Sequence, residues 1–238
     1  MGRLVVMLGH AAVSYHHSGC AQEVQNITAA MFRILAFMSN SPTSFPGAAS
    51  TVRASIVCLG VLRVIDGTTD LTYMNAWRIT SALERLPHPD TLGLIAALSA
   101  EADYTVDLAK SIADPDREIH PDLQPPDADT HHLSKRLRSD AKAASDAVDG
   151  IRAAFAAVIE SGKKDDVARV RQLDAEIQAG QYGPLASLLL PRFQPTIHAA
   201  NANRRLINLV RPLMQLQVAR HTATSIRDVF VPKRATDR

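Results

Sequence analysis

The chain has 238 residues, 46% of them hydrophobic and only 5% aromatic, and a formal net charge of +2 at pH 7. That length fits one large domain or two small ones, and so small a net charge does not by itself mark a polyanion binder. Scarce aromatics beside abundant alanine argue against a sheet-built core and for closely packed helices.

Two cysteines, Cys20 and Cys58, make no disulfide framework and fit an intracellular reducing compartment. The charges are unevenly placed. Residues 1–89 hold 6 basic and 4 acidic side chains, residues 90–191 hold 11 and 18, and residues 192–238 hold 9 and 2. An acidic block followed by a basic one implies a partner surface, or two blocks that attract each other within a chain or between copies.

At the start, Arg3 and an apolar run broken by His10 fit a secretory signal poorly. Glu23 is the one acid in the first 65 residues, beside four arginines, a composition compatible with organelle targeting. Residues 21–39 then place Val24, Ile27, Met31, Ile34, Leu35 and Met38 on one helical face. Two prolines and a glycine end that pattern. Residues 49–65 are apolar almost all round and predict a buried helix, because no partner strand exists for a sheet. Arg53 and Arg63 keep any apolar run there short of the ~18 residues expected of a transmembrane segment.

Asp70 is placed to cap a helix carrying Trp77 and Leu83 that stops before Pro87. Asp90 is placed to cap the next, as far as about Ala113. Residues 114–130, rich in acids and with prolines at 115, 121, 125 and 126, predict an exposed connector between two lobes. After it, Leu137, Ala141, Ala144, Val148, Ile151, Phe155 and Val158 recur in alternating steps of four and three, a heptad seam. Gly162 suits a left-handed helix end. Asp165 or Asp166 can cap a second helix carrying Val167, Val170, Leu173 and Ile177. Residues 133–178 therefore predict an antiparallel helical hairpin.

A last, basic helix over 196–230 contains Pro212, which should kink or divide it. Leu206, Leu209, Val210, Leu213 and Leu216 share one side, expected to face the core. Asn201, Arg204, Asn208, Arg211 and Gln215 share the other, expected to face outward toward a partner.

No phosphate-binding loop, dinucleotide fingerprint, HExxH or GxSxG pattern occurs. His88-Pro89-Asp90 and His120-Pro121-Asp122 repeat a tripeptide of J-domain co-chaperones without the basic helix that precedes it there, and read as loops leading into caps. Arg192 and His198 have the spacing of a HEPN ribonuclease motif, but Pro195 stands between them. His16, His17 and Cys20, and again Asp127, Asp129, His131 and His132, match no closed zinc spacing. Asp103 and Asp107, one helical turn apart, read as a solvated face.

The sequence thus predicts an all-α fold of about eight helices in two unequal lobes, residues 1–113 and 131–238. The expected function is non-catalytic. The chain would be a coat-like or complex-forming subunit of a larger assembly whose partners are other copies of itself or other subunits. RNA or DNA would meet the last helix at Asn201, Arg204, Arg205, Asn208, Arg211, Gln215, Arg220 and Arg227, through phosphate neutralisation and hydrogen bonds. No cofactor or metal is implied. The alternative is a helical, metal-dependent enzyme whose site is assembled from scattered His and Asp residues.

Overall fold

The computed structural model describes residues 1–40, 44–66, 71–90, 92–114 and 128–230, and the side chains of these except 66, 128–131 and 224–230. The fold is all-α. The described residues form ten helices: α1 (Gly2–His17), α2 (Ala21–Asn40), α3 (Phe45–Asp66), α4 (Tyr73–Glu84), α5 (Leu94–Ala113), α6 (Ala128–Ser139), α7 (Ala141–Lys163), α8 (Val167–Gln178), α9 (Pro184–Leu189) and α10 (Gln194–Phe230). The chain divides into two compact units. One comprises Met1–Ser41, Ala49–Gly93 and Ala202–Arg238, the other Pro42–Ala48 and Leu94–Asn201. Residues 114–130 join α5 to α6, both in the second unit; 115–127 lie outside the described residues, and 128–130 already belong to α6.

In the first unit α2 packs against both α1 and α4. The apolar face read from 21–39 is largely the buried one, with Val24, Met31 and Leu35 inside, while Ile34 is half-buried. Thr72, not Asp70, caps α4, its hydroxyl accepting from the Asn75 N–H at 3.4 Å; Asp70 lies outside the described residues. Gln25 Oε1 accepts from the Thr72 N–H at 2.9 Å and from Asn75 Nδ2 at 3.4 Å. At the other end of the pair, Asn40 Nδ2 donates to the Arg85 carbonyl at 2.7 Å. The two helices therefore run side by side in the same direction, pinned near both ends.

The span Phe45–Ile65 of α3 is long and apolar enough to cross a bilayer, and half of it is buried within the protein. Helix formation joins the apolar stretches on either side of Arg53 into one long element, which a search for an uninterrupted run does not register. Cys58 is fully buried there, and desolvation pushes its thiol up to about 12.

In the second unit the heptad seam is buried at Leu137 and again from Val148 onward through Ile151, Phe155 and Val158, and α7 packs on α8. Between Leu137 and Val148 it differs from expectation. Asp140 accepts from the Lys142 and Ala143 N–H groups at 3.0 and 3.1 Å and starts a new helix, so the run divides into α6 and α7 and Ala141 is exposed. The left-handed residue of the α7–α8 turn is Asp165, at φ 60°, while Gly162 is helical and buried. Asp166 caps α8, accepting from the Arg169 N–H at 2.9 Å.

Gly150 stands mid-helix, where glycine costs about 1 kcal/mol relative to alanine. The reason is contact: a Cβ there would run into the Tyr182 carbonyl. Phe193 is wholly buried, with its ring edge-on to those of Phe45 at 5.2 Å and Phe155 at 5.5 Å.

Candidate functional site

The basic last helix, α10, is continuous through Pro212, which sits exposed within it. A proline here removes the amide that would bond to the Asn208 carbonyl. Asn208 lies on the exposed side, where water can satisfy that oxygen, so the helix is not divided.

The facing of this helix departs from the sequence expectation: four of the five apolar residues face outward, Val210 is half-buried, and the polar stripe is exposed only at Asn208 and Gln215. Leu206 is 48% exposed, Leu209 65%, Leu213 53% and Leu216 65%. Inward positions belong instead to Asn203, Ile207 and Met214. Asn201 is 6% exposed, and Arg204 and Arg211 are half-buried. Of the remaining residues expected to bind a partner, Arg205, Asn208, Gln215 and Arg220 are exposed, and Arg227 lies in α10 with its side chain outside the described set.

Hydrogen bonding explains why polar residues turn inward. Arg211 Nη2 donates to the Leu83 carbonyl at 3.0 Å, one of the last carbonyls of α4, where the helix end favours a cation; the Leu86 N–H donates to the same oxygen at 3.3 Å. Asn203 Nδ2 donates to Ser55 Oγ at 2.9 Å and to the Val52 carbonyl at 3.3 Å. His221 Nε2 lies 2.7 Å from the Leu71 carbonyl, and Gln215 Nε2 donates to Glu84 Oε1 at 3.4 Å. The polar face of α10 thus supplies donors to the first unit's own backbone. That use is invisible in a helical projection, because its acceptors lie far away in sequence.

The other candidate groups stay apart. Among the described residues no three His, Cys, Asp or Glu side chains gather as metal ligands. His16 and His17 have ring centroids 5.9 Å apart, and Cys20 Sγ lies 3.8 Å from the Ser18 carbonyl. Asp103 is exposed, and Asp107 pairs with Lys110 at 3.2 Å. Arg192 and His198 are both exposed. Of the acidic histidine cluster, Asp127 lies outside the described residues and His132 is exposed.

The sequence reading did not bring out a groove between α2 and α4, of about 770 Å³, lined by Arg33, Phe37, Asn40, Trp77, Arg78 and Arg85 among others. Apart from Met1, its members come from two stretches some forty residues apart, each with an ordinary helical pattern. Only the exposed tryptophan, at 48%, offers a sequence-level hint, since it is the chain's single one.

Comparison of the chain with protein-family models, with curated proteins and with solved structures finds no match.

Proposed function

We propose that this protein is a non-catalytic building block of a larger helical assembly, and that α10 makes the contact between copies. One observation carries the reading: Leu206, Leu209, Leu213 and Leu216, at steps of three, four and three, stand 48–65% exposed in a row. That is the spacing of a helix-pairing seam, and large aligned apolar groups left in water mark an interaction surface.

The occupant is a neighbouring copy that presents its acidic block. From Gln194 to Thr222 the helix carries four arginines and no carboxylate, with exposed Arg205 and Arg220 flanking the row. Two such faces would repel each other. On α5, Tyr104 is 63% exposed between exposed Asp103 and Asp107, offering apolar surface with the opposite charge. A contact between two different faces of the same chain repeats, giving a ring or a filament. Nucleic-acid contact by this helix would rest on its exposed members Arg205, Asn208 and Arg220.

Light scattering on the full chain tests the reading. The parent should run above monomer mass and dissociate toward monomer in 1 M salt, where screening acts over ~3 Å. The double variant Leu209→Gln/Leu216→Gln should be monomeric at low salt. A parent that remains monomeric at ~100 µM, well above the micromolar range of modest interfaces, overturns it.

A further inference from the structure

We propose that the groove between α2 and α4 binds single-stranded nucleic acid, stacking bases on Trp77 and Phe37 and holding phosphates with Arg33, Arg78 and Arg85. This is a different surface from the leucine row, and the proposal does not rest on assembly.

Two large rings are exposed in the groove, Phe37 at 61% and Trp77 at 48%, in a chain with few aromatics. Three arginines stand with them, and none of the lining residues is a carboxylate. Among the described residues, Arg33 and Arg85 have no carboxylate partner; Arg78 Nη1 donates to Asn75 Oδ1 at 3.4 Å, which steadies it beside Trp77. Unneutralised guanidinium groups beside exposed ring faces form a site for ligands that are both anionic and aromatic.

The walls are rigid. The Gln25–Thr72–Asn75 bonds fix one end of the α2–α4 pair, and the Asn40–Arg85 bond fixes the other. Arg33 to Asn40, and Arg78 to Arg85, each cover seven residues, or ~10 Å of helix. At ~3.4 Å per stacked base that length holds about three nucleotides.

The strand must be single. Duplex bases are stacked on one another and present no ring face, whereas unpaired bases do. Stacking tolerates any base, and the groove's few neutral polar groups give little basis for reading sequence. A purely apolar peptide would leave the three arginines uncompensated, so the protein competitor to consider is an acidic, aromatic peptide.

Trp77 supplies the readout. The full chain is titrated with unlabelled 12-mers of U and of dT over a salt series while tryptophan emission is followed. Emission should be quenched on binding, because a base stacks on the only indole. With about three phosphates engaged, the logarithm of affinity should fall with the logarithm of salt with a slope of roughly −2.

Arg33→Gln and Arg85→Gln, both at exposed positions, should each flatten the slope by ~0.7. Phe37→Leu should weaken binding about tenfold with quenching retained. An unquenched complex, or binding unchanged in Arg33→Gln/Arg85→Gln, overturns the proposal. So does displacement of the 12-mer by a duplex, or by a Glu- and Phe-rich peptide at equal concentration. Repeating the titration in Leu209→Gln/Leu216→Gln separates the two surfaces, since the groove should bind there as well.

Discussion

Helices α7 and α10 carry the same sequence signal and put it to opposite uses. Both repeat apolar residues in steps of three and four. On α7 the seam Val148–Ile151–Phe155–Val158 is buried, whereas on α10 the row Leu206–Leu209–Leu213–Leu216 is exposed. The difference lies in the other face of each helix. On the polar face of α7, Lys142 pairs with Asp146 and Arg152 with Asp149 along the helix's own surface, in exposed pairs that contribute little. The polar face of α10 reaches across to other helices, adding donors to the Val52 carbonyl in α3 and to the Leu83 carbonyl near the end of α4. Apolar spacing says that a face favours burial, but what covers it depends on which polar groups the fold must also satisfy.

The comparison can be tested by substitution. Phe155→Ala should have the largest effect, a loss of ~3–5 kcal/mol by chemical denaturation, as for a large ring removed from a packed core. A loss below ~1 kcal/mol would show that the α7 seam is not packed. Next, Arg211→Gln should destabilise by about 1–3 kcal/mol, since it removes a charged donor from a helix end. A neutral result would return Arg211 to the solvated face assigned from sequence.

Asn203→Ala should cost about 1 kcal/mol, because Ser55 Oγ still donates to the Val52 carbonyl at 2.7 Å when the amide is gone. Smallest of all, Leu209→Gln/Leu216→Gln should leave the monomer's stability within about ±0.5 kcal/mol, as for surface positions, even as it abolishes assembly. A large loss of monomer stability would mean that the row is covered within the chain.

This ordering also marks what the sequence made legible. Helical class, the extent of α2 and the lower part of the α7 seam follow from local periodicity and need no partner. Breaks at Asp140 and the turn at Asp165 were missed because side-chain caps and single left-handed residues compete locally with a continuing helix. The inward face of α10 and the α2–α4 groove were missed for another reason. Arg211 pairs with a carbonyl 128 residues away, and Trp77 shares its groove with residues from a separate helix. No window along the chain contains both halves of either arrangement.

The first unit is assembled from three separate stretches, the last of which begins at Ala202, while nearly all of the second unit is Leu94–Asn201. During synthesis the ribosome delivers these in order, at ~5–20 residues per second. Residues 94–201 are therefore present in full while the Val52 and Leu83 carbonyls still lack their donors from α10. The unit begun first is completed last, its closing helix arriving seconds after the rest. Over that interval a nascent chain exposes the surface that Ile207 and Met214 will later cover, and any factor that recognises unfinished protein has its target there.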